Sequence, residues 1–170
     1  MLENLLTGTS LPNLHPAVVH FPLALLVTAL FFDILALSSR GRRWLDHGAT
    51  LLYCLAAVGA SAAWLSGLKA ADSMWSMPGP AQAALSEHQD LGLQTMAATI
   101  FLTAFRLFVA WLARKDKRTP LGLFRVAAIF AAFAVVALAG VTADHGGALV
   151  YQYGMGVEEA ILKGDDTSTR

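Results

Sequence analysis

The sequence predicts an all-α integral membrane protein, a four-helix bundle whose N and C termini both lie on the periplasmic side. Two observations predict this fold class. Hydrophobic residues make up 56% of the 170 positions and charged residues only 14%, and the mean hydropathy is +0.55. A water-soluble domain of this length needs more charge to cover its surface. The chain also contains four separate apolar stretches, each long enough to cross the hydrocarbon core, which takes about 20 helical residues.

The four stretches predict helices over about 16–37, 48–68, 91–113 and 121–143. Polar or Pro- and Gly-rich connections separate them, and their spacing fits a single domain over residues 1–157. We expect residues 158–170 to form a disordered polar C-terminal tail. Residues 1–15 contain no Lys or Arg. A secretory signal peptide needs such basic residues, so we expect the first apolar stretch to be retained as a helix.

The basic residues indicate how the bundle is oriented in the membrane. They are concentrated in the first and third connections: Arg40, Arg42 and Arg43 in one, and Arg114, Lys115, Lys117 and Arg118 in the other. The second connection has one basic residue, Lys69, among several acidic ones. Connections rich in Lys and Arg stay in the cytoplasm. We therefore expect a multi-pass protein of the bacterial inner (cytoplasmic) membrane, with the termini and the middle connection in the periplasm.

Charge and cysteine usage exclude some functions. Twelve basic residues balance twelve acidic ones, so no net charge attracts nucleic acid, and we expect no nucleic-acid partner. The single cysteine, Cys54, lies in an apolar stretch. The chain therefore cannot form an internal disulfide, and it has no C-x-x-C-H motif for covalent haem attachment.

The histidines are the strongest candidates for chemistry. His15 and His20 open the first helix, His88 precedes the third, and His145 follows the fourth. The predicted topology places all four at the periplasmic face, from three different helices. His47 falls on the cytoplasmic side and is interpreted as a solvated residue. We predict that His15, His20, His88 and His145 form a shared cofactor or metal site.

Helical spacing limits how these histidines can act. His15 and His20 point about 140° apart on a helix, so they cannot bind one ion as a pair on one face. Either His15 precedes the helix proper, with Pro16 as its first residue, or the two histidines serve different partners. Pro22 lacks the N–H that would bond to Val18 and is expected to kink the first turns.

Two kinds of occupant fit the histidines. Haem bound by two imidazoles needs them on facing helices, which His20 with His88 or with His145 can supply, and four histidines suffice for two haems. A directly bound ion such as zinc or copper takes three or four ligands around one point. Nearby carboxylates either orient the ring nitrogens or are interfacial charges facing water; these are Glu87, Asp90 and Asp144.

Two charged residues lie deeper in the predicted spans. Asp33 in the first helix and Arg106 in the third fall at similar depth, near the cytoplasmic ends. Charges within a span usually face the bundle interior or one another. We predict an Asp33–Arg106 ion pair with a structural role rather than a proton or quinone site. Arg125 is expected to reach the cytoplasmic interface without a special role.

The segment after the fourth helix is rich in glycine and tyrosine. Its glycines break the helical pattern, and Ala148–Tyr153 is interpreted as a short extended piece. We predict that residues 144–157 form a periplasmic flap over the histidines.

Several motifs together resemble a known family. They are L-H-P-A-V-V-H-F-P at 14–22, Asp33, E-H-Q-D-L-G at 87–92 and G-G-A-L-V-Y-Q-Y-G-M-G-V at 146–157. Nearly the whole chain resembles a family of bacterial four-helix inner-membrane proteins catalogued as a conserved domain of unknown function. In that family the domain occurs fused to, or encoded beside, Rieske iron–sulfur and c-type cytochrome modules. The resemblance implies an electron-transfer setting and points to the same positions: His15, His20, His88 and His145.

The leading functional expectation is a membrane-anchored electron-transfer protein similar to a b-type cytochrome, with haem b held by these histidines. It is expected to carry electrons between quinol and a periplasmic redox protein, a Rieske or c-type cytochrome module, as a redox subunit rather than a stand-alone enzyme. A homodimer in the lipid bilayer is expected, because so small a bundle has little room for two cofactors. The alternatives are a protein that binds copper, zinc or iron without haem, and an inert membrane anchor.

Overall fold

The structure is a computed structural model that describes residues 14–39, 42–72, 79–115 and 122–155. It contains four α-helices in chain order: α1 (His15–Ser38), α2 (Arg43–Asp72), α3 (Gly79–Lys115) and α4 (Gly122–Tyr153). The described ranges contain no strand. Each helix is long and apolar enough to cross a membrane. The predicted all-α, four-helix membrane architecture is confirmed.

The helix ends follow from local chemistry. The carbonyl of Leu14 accepts the N–H groups of Ala17 and Val18 and starts α1, and Pro16 stands in the first turn, where its missing N–H has no role. At the other end of the chain, α4 stops at Gly154, whose φ of 66° is the left-handed conformation that favours glycine. The Gly154 N–H closes the last turn on the carbonyl of Val150.

Each helix packs against its two neighbours in the order α1, α2, α3, α4, and α4 packs back against α1. Within the described residues the helix backbones of α1 and α3, and those of α2 and α4, do not meet across the bundle. The core consists of small and aliphatic side chains around Tyr53: Leu26, Ala29, Leu30, Ala49, Ala56, Leu102, Ala132, Val135 and Ala139. Large apolar side chains such as Phe101 and Phe130 cover the outside of the bundle, as expected of a surface that faces lipid.

The bundle has two chemically different ends. One end carries His15, His88 and His145, and we call it the histidine end. The other carries Arg43, Arg114 and Arg125, and we call it the arginine end. The longest extensions beyond the predicted spans are those of α3 and α4, and both lie at the histidine end.

The prediction of an extended piece in the flap is wrong. Residues 144–153 continue α4 as helix, and α3 begins at Gly79 instead of near residue 91. The two extensions pack together, with Leu149 buried against Ala81 and Met155. This packing outweighs the weak helix propensity of glycine. Residues 156 and 157 of the predicted flap and the tail at 158–170 lie outside the described residues.

Candidate functional site

His15 is held against α2 by its ring nitrogen and by a glycine. It is the first residue of α1, and its Nδ1 lies 2.9 Å from the Ala63 carbonyl oxygen and 3.1 Å from Ser66 Oγ. Because a carbonyl oxygen only accepts, the Nδ1 atom carries the proton and donates. A methyl group on Gly67 would lie 2.9 Å from Cε1 of the imidazole. The ring therefore packs against the glycine backbone in a fixed orientation.

His88 is held against α4 in the same way. Its Nδ1 donates to the Thr142 carbonyl oxygen over 3.1 Å. A methyl group on Gly146 would lie 2.9 Å from Cε1 of this ring. In both halves of the bundle, a histidine donates to a carbonyl of the next helix in the chain. That carbonyl belongs to the residue four positions before the glycine that packs against the same ring. We call each such unit, His15–Ala63–Gly67 and His88–Thr142–Gly146, a histidine–glycine clasp.

The two clasps bring their imidazoles together. The ring centroids of His15 and His88 are 6.2 Å apart, with an angle of 77° between the ring planes. Both side chains are half-buried. Two imidazoles that bind one metal ion from opposite sides, with metal–nitrogen distances of about 2 Å, have centroids about 6 Å apart. The separation therefore matches a pair of ligands on opposite sides of a single metal atom.

His145 lies beside this pair. Its Nδ1 donates to the Val141 carbonyl of its own helix over 2.9 Å, and its Nε2 is 3.5 Å from Glu87 Oε1. His145 is also close enough to His88 to interact with it electrostatically. A carboxylate and a third imidazole thus stand next to the His15–His88 pair.

His20 stands apart from the other histidines. It is exposed, and its Nδ1 donates to the Pro16 carbonyl one turn earlier over 2.5 Å. His47 is exposed at the arginine end. Within the described ranges no group of three or more His, Cys, Asp or Glu side chains is placed to hold a metal ion. Of the four predicted site residues, the structure joins His15 and His88, sets His145 beside them and leaves His20 separate.

The second polar feature is a buried ion-pair network toward the arginine end. The predicted Asp33–Arg106 pair is present: Arg106 Nε lies 3.1 Å from both carboxylate oxygens, and both side chains are buried. Arg106 Nη2 also donates to Asp46 Oδ1 over 2.9 Å. Asp46 in turn pairs with Arg125. The network therefore joins all four helices, and Arg125 does have a specific partner.

Tyr53 fills the centre of the bundle next to this network. Its side chain is fully buried, and its hydroxyl lies close enough to the Asp33 carboxylate to interact with it. The Tyr53 carbonyl accepts a hydrogen bond from Thr103 Oγ1 over 3.0 Å. This bond ties α2 to α3 at the depth of the ion pair.

Residues 11–159 match the family model described as "Predicted membrane protein (DUF2231)". The chain belongs to this family. No curated protein and no solved structure matched the DUF2231 chain.

Sequence reasoning missed parts of both polar features of the DUF2231 chain. It identified the histidines but not Gly67 and Gly146, which pack against two of the rings. Each glycine lies four residues after the residue whose carbonyl accepts the hydrogen bond from the ring. The sequence does not show which carbonyl that is, because helix packing determines it. It also missed Asp46, which stands in the first turn of α2 and resembles an ordinary helix-start acid.

Proposed function

We propose that this protein is a membrane electron-transfer protein of the b-type cytochrome kind, in which His15 and His88 would hold haem b. One observation carries the proposal: two imidazoles from different helices meet at 6.2 Å between ring centroids. A haem held by two imidazoles uses two protein ligands, whereas a zinc site takes three or four ligands around one point. The number and separation of the joined histidines favour haem.

The protonation of both rings supports the same proposal. His15 and His88 each donate from Nδ1 to a backbone carbonyl. With the proton on Nδ1, the Nε2 atom of each neutral imidazole carries the lone pair that binds a metal. Histidine ligands commonly donate their other ring N–H to a carbonyl, which fixes the ring and raises its basicity as a ligand.

The protein's own residues would set the properties of the site. Gly67 and Gly146 let the helix backbones approach the two rings and hold their orientation. His145 and Glu87 place ionisable groups beside His88, and charge near a haem is one of the levers on its reduction potential. When bound, the haem would accept and release single electrons. His20 and His145 would not be ligands of this haem.

The placement in the cell is also part of the proposal. Arg42, Arg43, Arg114 and Lys115 lie at the arginine end, and cytoplasmic connections carry the excess of basic residues. We place the arginine end in the cytoplasm and the histidine end in the periplasm of a bacterial inner membrane. There the haem would exchange electrons with quinol in the bilayer and with a periplasmic Rieske or c-type cytochrome module. A homodimer fits the same setting.

The absorption spectrum of the full chain, purified in detergent from cells that make haem, tests the proposal. The expected result is a Soret band together with sharp α and β bands after reduction. A colourless preparation with a stoichiometric copper, zinc or iron ion contradicts the proposal and favours direct metal binding. A preparation with neither haem nor metal contradicts both and leaves the role of an inert anchor.

A further inference from the structure

A cleft of about 610 Å³ opens at the arginine end, at the opposite end of the bundle from His15, His88 and His145, and His47 is among its lining residues. It lies between the beginning of α2, the end of α3 and the beginning of α4. Four arginines line it, Arg43, Arg106, Arg114 and Arg125, together with a single carboxylate, Asp46. The network around Asp33 and Asp46 accounts for two of the four positive charges. The cleft therefore has an excess of positive charge.

Two of these arginines have no acidic partner among the described residues. Within the described residues, Arg43 and Arg114 form no ion pair, whereas Arg106 and Arg125 bind Asp33 and Asp46. An anion in the cleft would balance the charges of Arg43 and Arg114.

The cleft also has an apolar wall. Val109, Ala110 and Ala113 of α3 line it beside the arginines, and the large side chains next to them on the same helix, Phe108 and Trp111, are exposed on the outside of the bundle. A site with guanidinium groups on one side and hydrocarbon on the other suits an amphipathic anion. A soluble anion would leave the apolar wall unused.

We propose that this cleft binds the phosphate group of an anionic phospholipid, with its acyl chains along α3. Basic pockets between membrane helices commonly bind such head groups. The occupant follows from the charge excess and the apolar wall. The lipid site does not involve haem, so its test does not depend on whether the protein transfers electrons.

Binding to the full chain in detergent, followed by native mass spectrometry, tests this site. The probes are dioleoyl phosphatidylglycerol, dioleoyl phosphatidylcholine as the neutral lipid, and inorganic phosphate as the anion without acyl chains. The expected order is phosphatidylglycerol binding on the order of tenfold tighter than phosphatidylcholine, since each basic residue near a lipid surface contributes about fivefold. Inorganic phosphate is expected to compete weakly.

Two neighbouring residues provide a matched pair of variants. Arg114→Gln removes a charge that lines the cleft, and Lys115→Gln removes the same charge from the next residue, which does not line it and whose Nζ lies 4.8 Å from the Trp111 ring. Arg114→Gln should weaken phosphatidylglycerol binding about fivefold, while Lys115→Gln should leave it unchanged. Both positions are exposed, so unfolding temperatures should match the parent.

Three results would overturn the proposal. The first is equal binding of the two lipids, which shows no anion selectivity. The second is an equal loss of binding in Arg114→Gln and Lys115→Gln, which shows general surface attraction. The third is inorganic phosphate binding as tightly as phosphatidylglycerol, which assigns the cleft to a soluble anion.

Discussion

The imidazoles of His15 and His88 lie close together, with their centroids 6.2 Å apart and an angle of 77° between the ring planes. The two residues belong to α1 and α3, whose backbones do not meet within the described part of the chain. The contact is therefore made by the side chains alone. Each ring is positioned by the helix that follows its own in sequence, α2 for His15 and α4 for His88.

Substitution of Gly146 should disturb this contact. In Gly146→Ala the new methyl group would lie 2.9 Å from Cε1 of His88, so the ring must move away from its carbonyl partner. Loss of such an orienting contact lowers metal affinity by about tenfold or more. Haem content per chain, measured after purification, is expected to fall below that of the parent.

Gly140→Ala is the matched control, because it lies in the same helix and its methyl group would meet no atom within 4 Å. It should keep full haem content and gain about 0.5–1 kcal/mol of stability, as alanine does over glycine in a helix. Equal haem content in Gly146→Ala and Gly140→Ala would show that the glycine does not position the ring.

The buried ion pair should dominate the stability of the bundle. Asp33→Ala leaves Arg106, whose side chain is 2% exposed, without its bidentate partner. Breaking a buried pair from one side costs about 3–5 kcal/mol. The free energy of unfolding, measured by denaturant titration in mixed micelles, is expected to fall by this amount, whereas Asp72→Asn at the exposed end of α2 should change it little.

A double variant measures how strongly the two charged side chains depend on each other. Asp33→Ala with Arg106→Leu removes both charges, so it should be less destabilised than the sum of the two single variants. Additive losses would indicate that the two side chains act independently.

The part of the fold that could be predicted is the part set by the membrane. Four apolar stretches of spanning length define four helices. Because consecutive helices cross the membrane in opposite directions, Asp33 and Arg106 lie at the same depth, where the two opposite charges form an ion pair. Depth can be counted along the chain. The rotation of each helix about its own axis cannot be counted in this way. This rotation determines that His15 faces His88, whereas His20, five residues later, is exposed.

The helical conformation at the end of α4 could not be predicted from the local sequence. Glycine weakens an isolated helix in water, and the segment around Gly146 and Gly147 therefore suggested a break. In the bundle, Gly146 allows the close approach of His88, and Leu149 packs against the extended start of α3. Tertiary contacts that no local pattern contains keep this segment helical.

Cysteine accessibility distinguishes the helix from an extended segment at this position. Leu149 is 6% exposed and Tyr151 is 91% exposed. Residues two apart share one face of an extended strand but lie on nearly opposite faces of a helix. In a Cys54→Ala background, Tyr151→Cys is expected to react rapidly with a maleimide and Leu149→Cys slowly. Similar rates at the two positions would contradict the helix.

The orientation in the membrane can be measured in the same background. Tyr151→Cys reports on the histidine end and His47→Cys on the arginine end, and both parent side chains are exposed. A membrane-impermeant maleimide added to intact spheroplasts should label the first variant and reach the second only after lysis. The reverse pattern would place the histidine end in the cytoplasm.

The proposed haem site requires both His15 and His88. It is tested most directly by the haem content and spin state of His15→Ala and His88→Ala, set against His20→Ala and His47→Ala. Pyridine haemochrome assay and electron paramagnetic resonance of the oxidised proteins supply the two measurements. The first two variants are expected to lose haem or its low-spin signal, and the other two to retain both. Low-spin haem at parental content in His15→Ala or His88→Ala, or its loss in His47→Ala, would contradict the claim.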